Sequence, residues 1–233
     1  MNFPPTHYSA VREASSPEAG ARARAWDRLA AAYWQPVLRY ILMKWRVEES
    51  EAKDLTQGFF AAAIEKNYFA GYDASKARFR TYLRVCLDGY VANERKSAAR
   101  AKRGGGAEHV EVDEALAAGK NLDEYFHDEW VRSLFGMAVD ELRALSEERG
   151  KQIAYRLFSK YDLEDEGHDP EASYQGLAAE FGLPATQVTN HLAWARREFR
   201  RIVLAALREM TATDEEFREE ARDLLGVSLG VSE

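Results

Sequence analysis

The sequence predicts an all-α protein built as two small helical domains joined by a flexible linker. Three observations carry that expectation. Apolar residues recur at three- and four-residue spacing through most of the 233-residue chain. No stretch alternates apolar and polar residues in the manner of a half-buried strand. Gly104-Gly105-Gly106, followed by an inversion of charge, interrupts the helical pattern near its middle.

Hydrophobic residues make up 46% of the chain, enough for two cores of ordinary domain size. Cys86 is the single cysteine, so no internal disulfide can form, which fits a reducing cytoplasm. No apolar run is long enough for a membrane span, and the N-terminus lacks the basic-then-apolar pattern of a secretory signal. The net charge of -7 argues against a protein that coats nucleic acid indiscriminately and leaves room for small local binding patches.

Residues 1–20 contain Pro4, Pro5 and Pro17 and read as an extended lead-in. From Ala21 a long helix is expected, with Trp26, Leu29, Tyr33, Val37, Leu38, Ile41 and Trp45 on its apolar stripe and a kink at Pro36. A second helix spans Glu48 to Phe69, with Ala52, Leu55, Phe59, Ala63 and Ile64 inward and Glu51, Asp54 and Gln57 on the polar face. A turn at 70–76 leads into the most distinctive stretch, 77–103. There Phe79, Tyr82, Leu83, Cys86, Leu87 and Tyr90 mark a buried helix face. The stretch also holds eight Lys/Arg (Arg78, Arg80, Arg84, Arg95, Lys96, Arg100, Lys102, Arg103) against Asp88 and Glu94, a local charge of +6. Cations beside aromatic rings suit a nucleic-acid surface; a solvated charged helix face gives the same pattern.

The glycine triplet is not a phosphate-binding loop, because no Lys-Ser/Thr follows it and no strand precedes it. Residues 104–150 hold twelve acids against four Lys/Arg, and 104–125 reads as a flexible acidic linker. The second domain is expected over 126–210. Trp130, Leu134, Ala138, Leu142 and Leu145 restore helical periodicity there, followed by Ile153 to Tyr161 and an acidic loop at 162–172. Ser173 is the expected cap of the next helix, on which Tyr174, Leu177, Ala178 and Phe181 share a face. Gly182-Leu183-Pro184 makes a tight turn, and Val188, Leu192, Ala195, Phe199 and Ile202 line a further helix. Two helices around a glycine-containing turn form a helix-turn-helix pattern, also compatible with a plain helical hairpin. Five Lys/Arg against one acid in 185–208 favour DNA. The tail, 211–233, pairs Thr213 with Glu216 at capping-box spacing and ends a helical face at Gly226. From Glu209 onward its charge is -6, opposite to the basic helix, which allows two readings: a tail that lies against that helix in the free protein, or a solvated tail that only aids solubility.

The five histidines are scattered, and no nucleophile–base pair or dinucleotide fingerprint is present. The chain therefore reads as a protein without enzymatic activity, metal or cofactor.

Two segments together carry a family resemblance. EAKDLTQGFF (51–60) with ARFRTYLRVCLDGYVANERKSAARAKRGGG (77–106) resembles region two of bacterial RNA polymerase sigma factors, and SYQGLAAEFGLPATQVTNHLAWARREFRR (173–201) resembles region four. With region three absent, the arrangement is similar to the extracytoplasmic-function type of the sigma-70 family, and FPPTHYS (3–9) and KRGGG (102–106) are similar to one branch of it. The resemblance implies a promoter-specificity subunit that binds polymerase core and starts transcription at promoter DNA. It assigns Glu51, Asp54, Leu55, Gln57 and Phe59 to docking on the clamp helices of the largest subunit. It assigns Arg78, Phe79, Arg80, Tyr82, Arg84, Asn93, Arg95, Lys96, Arg100, Lys102 and Arg103 to capture of the -10 element. Gln187, Thr189, Asn190, His191, Arg196, Arg197 and Arg200 fall on the -35 recognition helix, which lies near the flap of the second-largest subunit.

The chain departs from the family pattern in two places. The usual Asp-Ala-Glu-Asp run is here Glu51-Ala52-Lys53-Asp54, and the recognition helix carries Thr189, Asn190 and His191 where Lys and Arg are usual. Lys53 lies one turn from Thr56, which makes Thr56 a candidate phosphorylation site whose phosphate would restore negative charge toward the clamp. The partners implied are polymerase core and promoter DNA, with an anti-sigma protein or a protein kinase as regulator and no membrane. The alternative is a helix-turn-helix regulator acting without polymerase; a third reading is a helical adaptor whose basic faces bind an acidic protein.

Overall fold

The computed structural model describes residues 9–102, 121–164 and 170–226. Among them are nine α-helices and no strand: α1 (Ala10–Glu13), α2 (Ala19–Trp45), α3 (Glu49–Glu65), α4 (Phe79–Lys102), α5 (Leu122–Glu148), α6 (Gln152–Phe158), α7 (Pro170–Phe181), α8 (Ala185–Glu209) and α9 (Asp214–Leu225). They group into two compact units, one from 1–133 with 207–233 and the other from 134–206, with the divisions inside α5 and α8. The expected linker lies outside the described residues as far as 120. From Leu122 the chain is already helical: Asn121 Oδ1 accepts the Asp123 N–H at 3.0 Å, and Asp123 and Glu124 suit the positive end of the helix.

In the first unit the expected extended lead-in is folded from Ser9 onward, its first eight residues lying outside the described ones. Ser9 caps α1 by accepting from Arg12 N–H at 3.4 Å, and Ala10, Val11 and Ala14 are buried. The Trp26 indole donates to the Ala14 carbonyl at 3.1 Å, tying this turn to α2. α2 continues through Pro36 to Arg46, whose φ of 47° closes the helix. Its stripe of Trp26, Leu29, Tyr33, Val37, Leu38 and Ile41 is buried as the periodicity predicts. On α3, Ala52, Phe59, Phe60 and Ala63 are buried, while Ile64, expected inward, is 48% exposed. α4 buries Phe79, Leu83, Leu87 and Val91, and its Tyr82, Cys86 and Tyr90 are only half-buried. The core is largely aromatic. Phe79 meets Tyr33, Phe69 and Tyr72 edge-on at 5.8, 4.9 and 5.2 Å between centroids, and Trp26 stacks on Phe69 at 4.6 Å. Phe126 and Trp130 of α5 join it, as do Phe217 and Ala221 of α9.

In the second unit Leu134, Ala138 and Leu142 of α5, Ala154, Leu157 and Phe158 of α6, Leu177 of α7, and Val188, Leu192, Ala195 and Ile202 of α8 are buried. Phe199 meets Phe135 edge-on at 5.8 Å and lies tilted against Phe158 at 5.2 Å. α6 runs into a π-helical turn, Ser159–Leu163. α7 begins at Pro170, a residue preorganised for a first helical position, so Ser173 lies inside the helix rather than capping it.

Candidate nucleic-acid interface

On α4 three segments of the basic helix have different surroundings. At its start, Arg78 and Arg80 face α9. Arg78 reaches Glu220 at 3.2 Å, Asp223 at 3.1 Å and Glu219 at 3.4 Å, and Arg80 pairs with Glu220 while its guanidinium lies over the Trp130 ring at 5.1 Å. The Phe79 N–H donates to Glu216 Oε1 at 2.9 Å. Burial lowers the pKa of the Arg80 guanidinium below its ordinary value and raises that of the Tyr72 phenol well above it, Glu216 adding to the latter. Phe79 itself is fully buried, so its ring is a core element and cannot meet a base as the resemblance implied. The Tyr82 hydroxyl donates to the Tyr68 carbonyl at 2.7 Å.

In the middle of α4, Arg84 is held by Asp88 at 3.0 Å and by Asp123. Asp88 also takes Lys44 at 2.7 Å and the Tyr40 hydroxyl at 3.1 Å. Burial alone would lower the Lys44 pKa, but the bonds to Asp88 and Tyr40 outweigh it and raise it. The arrangement consumes Arg84 as a strut between helices. Arg95 stacks over Trp45 at 5.3 Å and donates to the Trp45 carbonyl at 3.3 Å. Around and beyond it Asn93, Lys96 and Arg100 are exposed, the part of α4 open to an anionic ligand. Lys102 ends the helix, and Arg103 lies outside the described residues.

In the second unit Gly182 ends α7 at a φ of 63°, a left-handed conformation that glycine adopts without strain. Leu183 N–H returns to the Ala178 carbonyl at 2.9 Å, which closes the helix end, and Pro184 leads into α8. Val188, Leu192 and Ala195 anchor α8 inward. Gln187, Thr189, Asn190, Arg197 and Arg200 are exposed, and His191 is half-buried. Arg196 is committed elsewhere: it forks onto Asp162 at 2.8 to 3.1 Å, donates to the Tyr174 hydroxyl at 3.2 Å and lies over the Tyr161 ring at 5.2 Å. These bonds hold α8 to the turn after α6 and leave Arg196 less free than Arg197 and Arg200. Glu198, 3.8 Å from Arg197 and 2.9 Å from Arg201, tempers the charge of that face.

On α3, Glu51, Asp54 and Gln57 are exposed and Leu55 half-exposed, so they can form a docking face. Phe59 is fully buried against Phe60 and Tyr90 and cannot. Lys53, the cation within the acidic run, pairs with Glu49 at 2.7 Å, and that bond lowers the Glu49 pKa. Thr56 is fully buried, its hydroxyl donating to the Ala52 carbonyl at 2.7 Å. Fully buried, the hydroxyl is out of a kinase's reach in this fold.

Among the described residues no three His, Cys, Asp or Glu side chains come together as a metal site, and no helix is long and apolar enough to cross a membrane. Comparison with protein-family models, with curated proteins and with solved structures gave no match.

Proposed function

We propose that the chain is a promoter-specificity (sigma) subunit of the extracytoplasmic-function type, without catalytic activity of its own. In this reading the exposed Glu51, Asp54 and Gln57 of α3 dock on polymerase core, α4 meets the -10 element, and α8 reads the -35 element in the major groove. The observation that carries it is the helix-turn-helix of the second unit. Gly182 turns the chain between α7 and α8, and α8 then presents Gln187, Thr189, Asn190 and Arg200 outward from a buried anchor row. The resemblance of 51–60, 77–106 and 173–201 to sigma regions extends this from a DNA-binding module to a polymerase subunit. Polymerase works in the cytoplasm, and the reading puts the chain there.

The test is size-exclusion chromatography of the purified chain with core polymerase, followed by duplex promoter binding with and without core. A sigma subunit co-elutes with core and binds the promoter firmly only in the complex. Firm duplex binding by the free chain with no co-elution selects the stand-alone regulator instead.

A further inference from the structure

The acids of α9 that face α4 are Glu216, Glu219, Glu220 and Asp223, the spacing of one helical face. Against them stand the Arg78 and Arg80 guanidiniums, the first-turn N–H of Phe79, which donates to Glu216, and the Tyr72 hydroxyl, 3.4 Å from Glu216. The site thus has what binds the oxyanions of a sugar-phosphate strand: two guanidinium forks, a helix N-terminus and a hydroxyl beside aromatic rings. It already holds anions, in the form of carboxylates supplied by α9.

The occupancy is not optimised for stability. Four acids face two guanidiniums, so negative charge is in excess, and Glu220 Oε2 is buried with no hydrogen-bond partner among the described residues. A buried acceptor without a donor costs free energy. An apolar face alone would have attached the helix without that cost: Phe217 and Ala221 are already buried.

We infer that the first turn of α4 is a binding surface for the phosphate backbone of single-stranded DNA, and that α9 occupies it in the free chain as an intramolecular competitor. The inference deepens the proposed -10 contact and rests on that part of the reading. It explains why a helix assigned to DNA contact has its first two cations covered while Lys96 and Arg100 remain exposed.

The experiment measures binding of a labelled single-stranded DNA to the free, full-length chain across a salt series. The variant Glu216→Gln, Glu219→Gln, Glu220→Gln, Asp223→Asn keeps the shape of α9 and removes its charge. Freeing two guanidiniums should steepen the salt slope by about 1.4, at roughly 0.7 per phosphate contact on a single strand. Between about 50 and 200 mM salt this is a loss of affinity larger than that of wild type by about sevenfold. Adding Arg78→Ala and Arg80→Ala should abolish the gain. A folded variant that binds with the wild-type affinity and slope overturns the inference. Hydrogen exchange of the unaltered chain gives a reading free of any folding defect. Saturating single-stranded DNA should accelerate exchange over 214–225, and unchanged exchange there also overturns it. Failure of the polymerase reading looks different: α9 would be released by DNA while the chain fails to co-elute with core.

Discussion

A Cβ placed on Gly58 would stand 2.2 Å from the Tyr90 hydroxyl, so Tyr90 lies against α3 where position 58 has no side chain. In an open helix position Gly→Ala gains up to about 1 kcal/mol. Here Gly58→Ala should lose about 1–3 kcal/mol by overpacking, read as a lower unfolding temperature. Tyr90→Phe in the same background should recover much of it, because removing the hydroxyl removes the closest atom. Thr56 gives a second residue-scale outcome. Thr56→Glu should destabilise the first unit by at least about 2 kcal/mol, because it buries a charge without a partner. Urea unfolding of Thr56→Glu beside Thr56→Ser checks this, and a stable glutamate variant would show that the site opens. His127 gives a third. Burial, and after it Arg80 and Arg78, lower its pKa, against Asp128 and Asp223, which act in the opposite sense. The unfolded chain therefore takes up a proton near the ordinary value of about 6.5 while the folded ring resists it. The stability linked to this residue is complete above that value and is lost as pH falls below it. His127→Gln should flatten the stability–pH curve between about pH 7 and 5.

At the scale of elements, α8 separates two arginines that its sequence makes look alike. Arg200→Ala should lower the salt slope of duplex promoter binding by the holoenzyme by about 0.9 and leave unfolding unchanged. Arg196→Ala should do the reverse. It cuts the fork to Asp162, lowering stability by about 1 kcal/mol or less, since the pair is partly exposed, while the salt slope stays. What was legible in the sequence follows the same division. The turn at Gly182 and the cap pair of α9 were readable because each is local. Thr213 accepts the Glu216 N–H at 3.1 Å, and Gly226 takes a left-handed φ of 62°, as their spacing implies. Partners far away in the chain were not readable. Asp162 lies 34 positions from Arg196, and Asp123 is distant in sequence from Arg84. Helical spacing put Phe79 on a buried face with Tyr82, Cys86 and Tyr90, but it cannot say which side chain on that face goes deepest: Phe79 is a core ring while the other three stay half-buried. The Glu216 carboxylate, expected to close a local capping box, instead bridges the Ala212 N–H at 2.8 Å and the Phe79 N–H at 2.9 Å.

For the whole molecule, the proposed function leans most on the opposed charges of 77–103 and the C-terminal stretch. The chain is acidic overall, yet it carries a basic helix whose first turn is covered by its own carboxylates and a second unit whose outward helix is basic. A promoter-specificity subunit needs that balance, because it must avoid DNA alone and engage it once polymerase has bound. The exposed Glu51 and Asp54 are the acids this account assigns to that engagement. The most direct measurement is therefore co-elution with core polymerase of the native chain beside Glu51→Lys, Asp54→Lys, with promoter-dependent transcription scored on the same fractions. The account predicts that the native chain co-elutes and supports transcription, and that the charge-reversed chain, folded as before, elutes apart and does neither. A native chain that elutes apart from core, or a reversed chain that still co-elutes and transcribes, would contradict it.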